Sequence, residues 1–162
     1  MEKKATSIER ILDEAMELEK KSEYFYRSAA KEYEGSDGQM VFLQLAEEEA
    51  VHQKLITRLE ASSPEDFRVQ VLKIDFSPIR MFGESPEFAN KPDLEHVLRF
   101  ALRMEEVAVE YYRELGKVAI GSLIGVLKQL EEMECSHVKR ITRLLDDAVL
   151  NKVDDMAELH AH

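Results

Sequence analysis

The sequence has no tryptophan, one cysteine, four prolines and six glycines in 162 residues, and each scarcity removes a class of protein. A single thiol, Cys135, can form no internal disulfide. It equally rules out a site built from four thiolates, such as a rubredoxin-type iron centre or a zinc ribbon. Long apolar runs are missing as well: no stretch approaches the ~18 uncharged residues that a membrane span requires. The opening residues MEKKATSIER lack the apolar segment of a secretory signal. Positive charge is in short supply, with 22 Lys and Arg against 33 Asp and Glu and a net charge of −11, a balance that repels nucleic-acid phosphates and acidic lipid. The expectation is a cytoplasmic protein with no nucleic-acid or membrane partner. Its length is that of a single domain, since domains run to roughly 100–200 residues.

All four prolines (Pro64, Pro78, Pro86 and Pro92) fall in one stretch. Proline is excluded from helix interiors, so the chain divides there into two proline-free halves, each long enough for two helices. Apolar residues recur at three- and four-residue steps through Ile8, Leu12, Ala15, Tyr26, Ala29 and Tyr33, until Gly35 and Gly38 interrupt them. A second run, Phe42, Leu45, Ile56 and Leu59, reaches about Ala61. In the other half, Asp93 is the expected N-cap of a run from Leu94 to Leu115, and after a break between Gly116 and Ser122 a last run extends to about residue 148. The predicted fold is all-α: hairpin 1 at about 8–61, hairpin 2 at about 93–148, and a crossover at 62–92 between them. Within the crossover, the alternation from Phe67 to Leu72 suggests an extended piece. In the tail, 149–162, the spacing of Leu150, Val153 and Ala157 suggests a short fifth helix docked on the bundle.

The two halves repeat one another. A shift of 86 residues lays Leu12 on Leu98, Ala15 on Ala101, Glu19 on Glu105 and Tyr26 on Tyr112. A shift of 85 lays Glu49 on Glu134 and HQKLITRL, from His52, on HVKRITRL, from His137, with only two of eight positions different. A repeat of this period implies two copies of a helical hairpin.

Polar residues on the apolar stripes then become informative. Glu19 lies on the stripe of Leu12, Ala15, Ser22 and Tyr26, and Glu105 lies between Ala101 and Ala108. Glu49 and His52 interrupt Leu45, Ile56 and Leu59, just as Glu134 and His137 interrupt Leu130, Ile141 and Leu144. Six inward polar groups are therefore expected. Isolated buried charges cost several kcal/mol each and like charges repel, so four carboxylates and two imidazoles call for compensation, which two divalent cations would supply. One Glu from each of two helices and a Glu-x-x-His from each of two others is the donor pattern of di-iron carboxylate bundles.

The remaining candidates have blander readings. Glu47, Glu48, Glu106, Glu131 and Glu132 read as a solvated face, His96 as a surface residue, and His160 and His162 as tail. Cys135 reads as a packed thiol, since neighbouring helical residues point about 100° apart. Met16, Met104, Phe25 and Tyr111 are core candidates.

On these residues the sequence resembles the rubrerythrin branch of the ferritin-like di-iron superfamily. Glu followed seven residues later by Tyr occurs at Glu19/Tyr26 and Glu105/Tyr112, and the second-helix pattern occurs as FLQLAEEEAVH, from Phe42 to His52. The resemblance implies a ferritin-like four-helix bundle of two repeated antiparallel hairpins joined by the long crossover. It implies two iron ions, Fe2+/Fe3+, with zinc or manganese as substitutes. Glu19, Glu49, His52, Glu105, Glu134 and His137 would be the ligands, Glu49 and Glu134 bridging, and the hydroxyls of Tyr26 and Tyr112 would orient the carboxylates. It further implies reduction of hydrogen peroxide or dioxygen, and a homodimer. Two departures stand out. There is no appended rubredoxin domain, so electrons would come from an external donor, rubredoxin-like or a flavoprotein. Ala108 occupies the position where rubrerythrins commonly carry an additional Glu. The rival readings are metal binding without peroxidase turnover, through ferroxidase chemistry or a structural dinuclear site, and a helical interaction module with an idle metal site.

Overall fold

The computed structural model describes residues 8–61, 88, 91–119 and 121–160. Four α-helices account for nearly all of them: α1 Ile8–Glu32, α2 Asp37–Ala61, α3 Leu94–Val118 and α4 Ser122–His160. Among the described residues there is no strand, and no helix is long and apolar enough to cross a membrane. The turn between α1 and α2 needs a left-handed residue, which Gly35 supplies at φ 81°; Gly121, at φ 65°, does the same before α4.

Helices α1 and α2 form one hairpin, α3 and α4 the other. Two hydrogen bonds fix how the hairpins face each other. The Tyr111 hydroxyl, on α3, donates to the Ile11 carbonyl at 2.9 Å, and the Tyr33 hydroxyl, after α1, donates to the Pro92 carbonyl. The start of α1 thus lies beside the end of α3, and the reverse, so these helices are antiparallel. Leu59, near the end of α2, packs in the same cluster as Ile11 and Ala119, whereas Phe88, just before α3, packs at the opposite end against Phe25. The connection between hairpins therefore begins and ends at opposite ends of the bundle. The extended piece expected at 67–72 lies outside the described residues, as does His162.

The core is split in two. One apolar cluster gathers Leu12, Leu18, Ile56, Tyr112 and Leu130 at the end where α1 begins; the other gathers Phe25, Phe42, Leu45, Leu98 and Ile141 at the end where it finishes. Met104, Phe25 and Tyr111 are buried and Met16 packs against the first cluster, as their spacing suggested. Between the clusters, at mid-height, the buried side chains are polar.

The expectation of a separate, docked fifth helix is corrected. Helix α4 runs unbroken for 39 residues, about 58 Å at ~1.5 Å per residue against about 37 Å for each 25-residue neighbour. After Gly125 neither glycine nor proline interrupts it, so the helix continues in line past the bundle, with Leu150, Val153 and Met156 exposed. Asp93 does sit at the N-cap of α3, but its side chain makes no capping bond; it pairs with Lys152 from the α4 extension.

Candidate metal centre

Each half-site begins as a position on an amphipathic helix where periodicity demands an apolar residue and a polar one stands. Glu19, Glu49, His52, Glu105, Glu134 and His137 are all 0–1% exposed. The structure brings all six together. Nδ1 of His52 lies 2.9 Å from Glu19, 3.2 Å from Glu49 and 3.0 Å from Glu134. Nδ1 of His137 lies 3.1 Å from Glu49, 3.3 Å from Glu105 and 3.2 Å from Glu134. The two imidazoles stack with centroids 5.1 Å apart and planes 12° from parallel. Two four-residue groups result, Glu19/Glu49/His52/Glu134 and Glu49/Glu105/Glu134/His137, each with donor atoms within 4.8 Å of one another. Glu49 and Glu134 belong to both.

One ring N–H cannot satisfy three carboxylates at once. Both oxygens of Glu49 and both of Glu134, although near the ring nitrogens, have no hydrogen-bond partner of sound geometry. Buried oxygens without donors cost roughly 1–3 kcal/mol each, more when charged. Oxygen and imidazole nitrogen donors, dry, converging and unsatisfied, suit divalent metal ions of the first transition row, and the cluster fits a dinuclear metal site.

Titration behaviour follows from this crowding. Burial and the charges of Glu134, Glu105 and Glu19 push the Glu49 carboxyl far above the usual carboxylate range. Burial, Glu19 and Glu105 lift Glu134 to about 8. Burial acts to lower His52, yet the nearby carboxylates of Glu134, Glu19 and Glu49 win and carry it to about 12; His137 is raised in the same way by Glu105, Glu134 and Glu49. Glu105 goes the other way: burial pushes it up, but His137 and the Tyr26 hydroxyl hold it below its ordinary value. Without a cation the cluster thus neutralises itself with protons.

The tyrosines reach across the bundle. Tyr26, on α1, donates to Glu105 on α3, and Tyr112, on α3, donates to Glu19 on α1. Burial, with the neighbouring carboxylates, raises both phenols well above their usual range, so each stays a donor.

The expected solvated face is correct for Glu47, Glu106 and Glu132, which are exposed. Glu48 is a correction. Its carboxylate accepts a hydrogen bond from Nε2 of His137 at 2.9 Å and is gripped by Arg140, whose Nη1 donates to Oε1 at 3.1 Å and whose Nη2 donates to Oε2. Side-chain length explains the miss: an edge position can send a carboxylate inward while remaining 41% exposed. The one signal available in sequence was a break in the repeat, with Met133 in the place corresponding to Glu48 and Leu55 in that of Arg140. His96 is exposed, as expected, and Cys135 is a half-buried free thiol.

No protein-family model matches the sequence, and no curated protein matches it. Among solved structures, a hypothetical protein from Pyrococcus furiosus superposes with a TM-score of 0.67 at 20% identity, over 89% of this chain and 91% of that one. A candidate ferritin-like diiron-carboxylate protein from Thermotoga maritima superposes with a TM-score of 0.67 at 18% identity, over 91% of this chain and 99% of that one. The fold is ferritin-like. At such identities the likeness speaks for the fold alone, and the site rests on the geometry above.

Proposed function

We propose that the protein is a dinuclear iron redox protein of rubrerythrin-like type that reduces hydrogen peroxide or dioxygen with electrons from an external donor. The observation that carries this reading is the pair of interlocked donor groups sharing Glu49 and Glu134, whose oxygens lack partners. The diiron-carboxylate description of the Thermotoga maritima relative in fold supports it. Glu19 and His52 would hold one ion, Glu105 and His137 the other, with Glu49 and Glu134 bridging. Bound iron would supply Lewis acidity and one electron per ion, the two needed to cleave the O–O bond of hydrogen peroxide or to take dioxygen to the peroxide level.

The chain's own residues do the rest. The apolar clusters on either side keep water from the cluster, so its charges act at low effective dielectric. Tyr26 and Tyr112 hold Glu105 and Glu19 in fixed orientations, each from the opposite hairpin. Glu49 and Glu134, loosely held, are the carboxylates free to shift as charge changes. Cys135, the one thiol of these residues, cannot build a four-thiolate relay centre, and the reading therefore takes its electrons from an external donor.

The test is anaerobic purification followed by metal analysis, Fe(II) loading and addition of peroxide with a reductant. Two irons per chain and catalytic peroxide loss are expected. Two irons without turnover would replace this reading by ferroxidase chemistry or a structural site. No bound metal at all would leave a helical interaction module. Recovered zinc alone would call for iron reloading, since zinc outcompetes iron(II) at most nitrogen and oxygen sites.

A further inference from the structure

The duplication makes the two halves of the centre alike in their donors and unlike in what lies behind them. Both histidines turn Nδ1 toward the carboxylates. Behind His137, Nε2–H donates to Glu48 at 2.9 Å, and Arg140 closes on that carboxylate with two nitrogens. Behind His52, the buried Nε2 has no hydrogen-bond partner. The sequence gives the cause: the repeat positions equivalent to Glu48 and Arg140 hold Met133 and Leu55, and neither side chain can form such a strap.

A carboxylate behind a histidine fixes the tautomer, stops the ring turning and makes the facing nitrogen a stronger donor. Glu48 is 41% exposed and would swing freely on its own; the two-pronged grip of Arg140, a geometry suited to carboxylates, holds it in place. Because Glu48 comes from α2 while His137 and Arg140 come from α4, the strap also ties one hairpin to the other.

We propose that Glu48, held by Arg140, is a positioning residue that makes the two metal positions unequal: the ion at His137 and Glu105 binds first and tightly, and the ion at His52 and Glu19 second and loosely. This rests on the dinuclear reading above. The looser position is the one that exchanges its ion.

The test uses metal-free full-length protein titrated anaerobically with Co(II), followed by visible absorption and chelator competition. Two resolved steps are expected, at least about tenfold apart. Glu48→Leu weakens the first step by about 10- to 100-fold, the usual effect of losing such a support, and leaves the second unchanged. Glu48→Gln, which keeps an acceptor oxygen, retains part of the difference. Met133→Glu combined with Leu55→Arg strengthens the second step by building the missing strap. If Glu48→Leu does not fold, Arg140→Met, which frees the carboxylate, carries the same comparison. Unchanged steps in Glu48→Leu, or equal weakening of both, would overturn the proposal. Failure of the unmutated protein to take up two ions would remove the dinuclear reading itself, a different outcome read in the same titration.

Discussion

Filling the centre should expel protons in a fixed number. In the metal-free cluster the protonated form is favoured at four groups: His52, raised to about 12, and His137, raised likewise; Glu134, raised to about 8; and Glu49, pushed upward by burial and by the charges of Glu134, Glu105 and Glu19. A bound metal ion requires neutral imidazoles and ionised carboxylates. Two dications bring four positive charges and displace up to four protons, which would conserve the charge of the dry interior. The upper limit is therefore about two protons per ion, and affinity should rise by as much as about 100-fold per pH unit for each ion where all four groups are protonated. The assay is anaerobic addition of Fe(II) or Co(II) to weakly buffered metal-free protein with a pH indicator, backed by calorimetry in buffers of differing ionisation enthalpy. Release of fewer than about one proton per ion would refute the reasoning, because the carboxylates would then be ionised before any metal arrives.

Other outcomes follow from the same geometry. In Glu134 the folded state favours the protonated form, so its contribution to stability is complete below pH 4.5 and is lost as pH rises through about 8. Metal-free Glu134→Gln should match the parent near pH 4.5 and exceed it by on the order of a few kcal/mol at pH 8, in urea unfolding, while losing metal uptake; a constant difference across that range would contradict this. Tyr112→Phe removes the donor to Glu19 and should weaken the ion at Glu19 and His52 about tenfold, whereas Tyr26→Phe should weaken the ion on the Glu105 side; stepwise metal titration distinguishes them. Ile141, fully buried beside the site, should cost about 2–5 kcal/mol on truncation to alanine, seen as a lowered denaturation midpoint with little change in metal stoichiometry.

Helix α1 and the end of α2 were legible almost to the residue, because three- and four-residue periodicity, Gly35 and the proline-rich stretch mark those limits; α2 itself begins at Asp37, ahead of the run read from Phe42, and takes Gly38 inside it. The third and fourth were legible in place but not in length. Gly116 is tolerated inside α3, which runs on to Val118. The end of α4 carries no stop signal, and burial, which periodicity was used to infer, does not decide where an uninterrupted helix ends.

Local chemistry determined much of this protein. A stripe that must be apolar and is polar at Glu19, Glu49, His52, Glu105, Glu134 and His137 can be read from one chain, and its duplication makes accident hard to sustain. What tertiary structure alone decided is who serves whom. On the sequence Tyr26 lies seven residues from Glu19, yet it donates to Glu105; Glu48 looks like one acid among many on an outer face, yet it stands behind His137 on another helix. Spacing along a helix fixes the direction in which a side chain leaves its own axis, while its partner depends on the crossing and register of two helices distant in sequence. Those are set by the packing of the apolar clusters around the site.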